Sequence, residues 1–485
     1  MFKAILNKYK KMSVITKAAL WFVICTMLQK CISFITVPIF TRLMPAEEYG
    51  LYSTYLSWYN IITVICTLNM HNCIYMNGIS KAKTEKEKND IAIPMLSLSE
   101  VITVILFFIY FVFHNYLNEI IKLPTILVSL IFAQVLFDPA INFWLVRQRF
   151  EYKYVKVVIR TITMVVLNSV LGIIFVVIST TNQAIARAIS IILVQALFGI
   201  VLYVYFFKKG KKIFSCKDWK HILNVQLPLL PHGLSLTILG SSDKIMINSL
   251  CSAIQAGIYS VAYSAGYVVN ILKNSIVDAL RPWIYEQIKE KKYNDINQST
   301  KPILLLILII TFIFIVFAPE IIKIMAPPDY YEAIYVIPPV AASAFFTFLY
   351  NMFSTISFYY EKTKKIMFAS LAGAIFNIVL NAICIPTFGY IAAGYTTLVC
   401  YIFLAFVHFL IMNSICKSEL NNAKIFDVRF IISLSAIVLI VMLVLTLLYD
   451  HLVIRYGIIL ILLLTLIIKR KEFINAIKTI KKKKV

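Results

Sequence analysis

The sequence predicts an all-α polytopic membrane protein with about fourteen transmembrane helices. Three observations predict it. Of 485 residues, 60% are hydrophobic and only 14% charged, where a soluble domain carries about 25% charged residues. Mean hydropathy is +0.83. Apolar runs of spanning length recur along the whole chain, and basic residues gather in alternate intervals between them.

The spans fall at about 18–41, 50–72, 91–113, 124–146, 157–178, 183–207, 223–247, 256–281, 302–319, 333–357, 366–386, 391–414, 429–449 and 452–468. The first run is too long for a signal peptide, and no small-residue cleavage site follows it, so it reads as a membrane helix. The second starts at a Gly50-Leu51-Tyr52-Ser53 motif, and the fourth contains Pro139, which predicts a kink. Pro228 and Pro231 stand early in the seventh, and the eighth starts at Gly257-Ile258-Tyr259-Ser260. The longest outside loop, near Pro319 to Glu332, has about a dozen residues, and the inside loop from Arg281 to Lys301 about twenty. None is a soluble domain.

With the N-terminus cytoplasmic, 39 of the 47 Lys and Arg lie in inside loops or tails. Four lie outside (Arg42, Lys122, Lys323 and Arg455), and four lie within spans: Lys30, Arg187, Lys244 and Lys273. This asymmetry orients the chain with both termini cytoplasmic. It also accounts for the net charge of +24 without nucleic acid, since these loops attract anionic lipid. No GxxxxGK[ST] or HExxH run is present, and His71, His232 and His408 share no ligand spacing. The nine cysteines form no CxxC pair and read as small buried hydrophobes.

The two glycine-aromatic-serine motifs are 207 residues apart, and VLN at Asn168 has a weaker echo at Asn381. A repeat of six spans that starts and ends inside is a parallel repeat, a plan on which transporters place their site between the halves. The predicted divisions are 1–207 for an N-terminal six-helix lobe, 208–415 for a C-terminal one, and 416–485 for two added helices with a basic tail.

The stretch with Pro228, Pro231 and SSDKIMINSLCSAIQAGIYSVAY resembles the seventh and eighth segments of the Wzx-type polysaccharide flippases of the MATE-like (MOP) transporter superfamily. TRLMPAEEYGLYS, from Thr41 to Ser53, resembles that family's first-to-second segment junction. The resemblance implies two six-helix lobes around a central cavity, working by alternating access. It implies a cargo of undecaprenyl-diphosphate-linked oligosaccharide repeat units, moved to the outer leaflet of the bacterial cytoplasmic membrane for surface polysaccharide synthesis. A polysaccharide polymerase and other assembly proteins would be partners.

Polar residues form helical stripes: Gln134, Asp138 and Asn142 on one span, Gly266, Asn270, Lys273 and Asn274 on another. A mid-membrane charge costs about 2.5–3.5 kcal/mol on insertion scales, so such stripes point to a wet interior. Lys30 and Lys273 lie deepest and are the first candidates to hold a diphosphate. The competing structural role is an ion pair with Glu100, Asp138 or Asp278. Arg187 and Lys244 are further substrate-binding candidates or snorkelling residues. Asn270 and Asn274 share the Lys273 face, and Tyr55 and Tyr59 are candidates to stack on sugars. Glu100, Asp138, Asp243 and Asp278 are candidates for charge pairing or for H⁺ or Na⁺ coupling. No other cofactor is expected. Rival readings are a cation-coupled multidrug exporter, a lipid II flippase and, more distantly, a membrane polymerase or glycosyltransferase. The short loops disfavour an enzyme.

Overall fold

A computed structural model describes residues 12–72, 74–209, 215–458 and 460. The N-terminal lysines Lys3 to Lys11, the C-terminal basic tail and most of the fourteenth predicted span lie outside them. Every regular element among the described residues is helical. Ten helices are long and apolar enough to cross a membrane, and a bent pair makes up to eleven.

The chain divides into two compact units, Met1–Gly257 and Ile258–Val485. The first holds α1 (Val14–Leu43), α2 (Ala46–Thr67), α3 (Ile74–Lys81), α4 (Glu85–Val112), α5 (His114–Ile121), α6 (Thr125–Phe150), α7 (Tyr154–Ile178), α8 (Gln183–Lys209), α9 (Cys216–Gln226) and α10 (Leu230–Leu250). α11 (Ala253–Lys289) starts in this unit and continues into the second. There follow α12 (Tyr293–Val316), α13 (Ala318–Met325), a 3₁₀ turn (Pro328–Tyr335), α14 (Ile337–Tyr359), α15 (Thr363–Phe388), α16 (Ala392–Glu419) and α17 (Val428–Leu447).

Local chemistry sets the ends. Ser13 caps α1 by accepting from the Thr16 amide, and Thr84 caps α4 by accepting from the Glu87 amide, both at 3.2 Å. Glu87 reaches back to accept from the Lys83 amide at 2.8 Å. Asp427 caps α17. Gly389, at φ +76°, stops α15 where a side chain would be strained.

Two sequence expectations change. The seventh span is not one helix: α9 and α10 meet at 60°, and Pro228 and Pro231 lie at the break, where each removes a backbone donor. The inside loop expected over 281–301 is mostly helix, because α11 runs on to Lys289 and α12 begins at Tyr293. α6 passes through Pro139 as one continuous helix. α2 and α11 have the length to span but are too polar to count among the apolar ten.

In the first unit α2 packs on α6 and α10, α4 on α6, and α7 on both α1 and α8. Its core includes Met70, Tyr75, Ile93, Leu96, Phe143 and Phe206. α10, which the repeat assigns to the second half, therefore lies along α2 in the first unit. In the second unit α14 is the central helix, buried nearly throughout, with α12, α15, α16 and α17 around it. Pro338 and Pro339 occupy its first turn, where their missing amides are unused. Cys25, Cys66 and Cys400 are buried.

The repeat glycines meet. A Cβ on Gly50 would overlap the Ala253 carbonyl and come within 2.9 Å of the Gly257 amide nitrogen. A Cβ on Gly257 would overlap the Ala46 carbonyl. The motif repeats because the start of α2 and the start of α11 approach backbone to backbone, which glycine alone permits.

Candidate functional site

α6 carries Gln134 and Asp138 one turn apart, and α2 carries Tyr55 and Tyr59 at the same spacing. The Tyr55 hydroxyl donates to Gln134, and the Tyr59 hydroxyl donates to Asp138. Both pairs are 79 residues apart, so the two helices run parallel here. That agrees with the predicted topology, in which the second and fourth spans cross in the same direction. Gln195 of α8 donates to the other Asp138 oxygen at 3.3 Å. About two turns further along α8, Tyr203 donates to Glu100 and to the Leu136 carbonyl, the latter at 2.8 Å. Asp138 thus accepts from a phenol and an amide and Glu100 from a phenol, in bonds that join α2, α4, α6 and α8.

The candidates separate by environment. Tyr55 has no exposed surface, so its ring is out of reach of a sugar in this conformation; Tyr59 is half-buried. Arg187 is 7% exposed and donates at 3.0 Å to both the Asn168 carbonyl and the Ser190 hydroxyl. Its guanidinium lies 4.6 Å from the Phe40 ring centroid and 5.5 Å from that of Tyr52. Gly172 leaves it room, since a Cβ there would strike the guanidinium. Packing therefore accounts for Arg187 in this conformation. Asp243 is buried and Lys244 half-buried on α10.

Lys30 is exposed near the middle of α1. Lys273 is 2% exposed on α11, with Asn270 at 7% one turn before it, while Asn274 and Asp278 are exposed. Val269 and Val277, four residues either side of Lys273, belong to the apolar core of the second unit, so the lysine shares the core face. Among the described residues of its own unit, neither Lys30 nor Lys273 has a carboxylate within 4 Å, and neither Glu100 nor Asp138 has a cation within that distance. The simple ion pairs expected within each unit are not formed.

A charge cluster at the ends of α4 and α6 is densely bonded. Arg147, 1% exposed at the end of α6, donates to Asn89 and Glu85 at 2.5 Å and to Glu151 at 3.4 Å. Lys88 reaches Glu151 at 2.7 Å and Lys153 reaches it at 2.5 Å. Partial burial pushes the Glu151 carboxyl up, but hydrogen bonds and charge from Lys153 and Lys88 outweigh this and hold it at about 2. The signal was present in the spacing: Glu85 with Asn89 and Arg147 with Glu151 are each one helical turn apart.

The ten apolar helices and the buried polar stripes between them are those of a multi-pass membrane protein. Residues 15–288 match the polysaccharide biosynthesis protein family, and residues 228–383 match the MatE family. The chain belongs to the polysaccharide biosynthesis protein family. It is similar in fold to the lipid II flippase MurJ in an inward closed conformation, with TM-score 0.64 and 17% identity, covering 93% of this chain and 99% of that one. It is also similar to an inward-facing multidrug resistance MATE transporter, with TM-score 0.59 and 14% identity, over 83% of this chain and 99% of the other. A protein of the Lsg locus of Haemophilus influenzae is 30% identical over 119 residues, 23% of this chain and 29% of that relative, so the match spans under a third of its length.

Proposed function

We propose that this flippase moves an undecaprenyl-diphosphate-linked oligosaccharide repeat unit from the cytoplasmic to the outer leaflet of a bacterial cytoplasmic membrane, with both termini cytoplasmic. The observation that carries this reading is Lys273. An ammonium that is 2% exposed and has no carboxylate within 4 Å among the described residues of its own unit needs an anionic partner at some stage of the cycle. A diphosphate supplies it, and Asn270 adds a neutral donor one turn away. Lys30 offers a second, exposed cation. Family membership in polysaccharide biosynthesis supports the sugar part of the cargo.

The test is surface-polysaccharide export in cells lacking their own flippase, with Lys30→Ala and Lys273→Ala at matched membrane levels. Wild type is expected to restore export. Lys273→Ala is expected to lower it at least tenfold, the loss of one charge-assisted contact of about 1.5–3 kcal/mol. Export by both variants at the wild-type rate would remove the lysines from the site. Failure of wild type with every repeat unit tried, together with rescue of lipid II transport, would favour the cargo named for the MurJ neighbour.

Energy input has its own candidate. Asp138 accepts from a phenol and an amide, with no cation within 4 Å among the described residues of its unit, a setting in which a carboxyl can exchange a proton or hold Na⁺. Asp138→Asn is expected to leave the protein folded and to make transport insensitive to an imposed pH or Na⁺ gradient in vesicles. Unaltered gradient dependence would exclude Asp138 from coupling.

A further inference from the structure

The open face of α11 differs from that of the apolar helices. α7 exposes Ile159, Val166, Val170 and Ile174, as suits a helix against acyl chains. Among the described residues of α11 between Gln255 and Arg281, the exposed ones are Tyr267, Asn274 and Asp278, and none is aliphatic. Their spacing puts them on one helical face. An exposed amide and carboxylate inside a helix of spanning length do not face hydrocarbon, so this face borders water.

An aromatic ladder climbs onto the same face. Tyr259, Tyr263 and Tyr267 follow one another at single turns of α11, with ring centroids 5.8 and 5.7 Å apart and the last two rings 19° from parallel. Tyr259 has no exposed surface, Tyr263 is half-buried and Tyr267 is 37% exposed. The buried rings therefore hold the exposed one in place. Among the described residues, neither the Tyr267 hydroxyl nor the side-chain amides of Asn270 and Asn274 have a hydrogen-bond partner. A phenol and an amide each donate and accept hydrogen bonds and carry no charge.

The matching ligand is neutral, apolar on one side and rich in hydroxyls at its edge. A pyranose is such a ligand: its C–H groups lie on an aromatic ring while its hydroxyls reach the amides. An organic cation fits less well, because Asp278, the first carboxylate along this helix after the ladder, stands about 16 Å from Tyr267 at 1.5 Å per residue. We propose that this face of α11 is the sugar track of the carrier, in which Asn270 and Asn274 hold the sugar next to the diphosphate and Tyr267 stacks on the one after it. The proposal rests on the reading of Lys273 as the diphosphate site. Lys273 lies on the buried flank beside Asn270 and Asn274, about 9 Å along the axis from Tyr267, the reach of the first sugars beyond a diphosphate. Stacking uses a C–H face common to hexopyranoses, so the track reads the presence and number of sugars more than their identity.

The test is binding to the purified full-length protein of undecaprenyl diphosphate bearing no sugar, one N-acetylglucosamine or N,N′-diacetylchitobiose. Wild type is expected to bind the disaccharide form about tenfold more tightly than the bare diphosphate. Tyr267→Leu is expected to remove the gain from the second sugar and Asn274→Ala the gain from the first, while both bind the bare diphosphate as wild type does. Tyr267→Phe, which keeps the ring, is expected to retain most of the gain. Equal affinity of wild type for all three forms overturns the sugar track and leaves the diphosphate reading standing, as does a sugar gain unchanged in both Tyr267→Leu and Asn274→Ala. No affinity for any of the three overturns both. Binding of tetraphenylphosphonium that Tyr267→Leu abolishes, with no gain from sugars, overturns the track and assigns the rings to an organic cation.

Discussion

Gly50→Ala is expected to lose the native packing of α2 against the start of α11. By helix propensity alone, alanine for glycine inside a helix is stabilising by about 0.5–1 kcal/mol. Space reverses the sign. The new methyl would overlap the Ala253 carbonyl and press on the Gly257 amide, both backbone groups that cannot rotate away. Overpacking costs about 1–3 kcal/mol where side chains can yield, and more where they cannot. Gly240→Ala is the control, since a Cβ there has nothing within 4 Å. Thermal unfolding followed by size-exclusion fluorescence should show Gly240→Ala unchanged or raised and Gly50→Ala strongly lowered or aggregated. If the two shift together, the glycine contact does not constrain the fold.

The second large effect is expected at Arg147. Removing this buried arginine is expected to cost about 1–3 kcal/mol, because buried Asn89 loses its donor, while Glu151 keeps Lys88 and Lys153 and Glu85 is mostly exposed. Arg147→Ala leaves Glu85, Glu151 and Asn89 without their shared donor and opens the ends of α4 and α6. Arg147→Lys should recover part of this, since an ammonium cannot bridge three acceptors with a fork. Glu151 gives the cluster a pH signature. Its folded value of about 2 lies below the ordinary 4.5, so its contribution is complete above 4.5 and is lost as pH falls from there through 2. Thermal unfolding between pH 7 and pH 3 should therefore decline less steeply in Glu151→Gln than in wild type. Equal slopes would assign the acid sensitivity elsewhere.

How far the sequence could be read follows from what each residue depends on. Lys273 was legible as a buried charge because its depth is a count along one helix. The pairing of Tyr59 with Asp138 was not, although both were singled out, because it needs the rotation of α2 about its axis relative to α6. Arg187 was read as a cavity or interface residue and is instead seated on Phe40 and Gly172, neighbours about 147 and 15 residues away in the chain. Arg147 was missed altogether, since at a span end a buried and a solvated arginine look alike in sequence.

The sequence by itself determined the membrane class, the run of spans, the glycine repeat and the family. These are carried by hydropathy, charge asymmetry and motif identity, which are properties of short segments and add along the chain. Tertiary structure alone decided which polar groups are satisfied and which remain open. It set the bend at Pro228, the hydrogen bonds to Asp138 and Glu100 and the clamp on Arg147. A hydrogen bond requires two groups within about 3 Å at a defined angle, and helix rotation and packing fix that geometry between segments far apart in sequence.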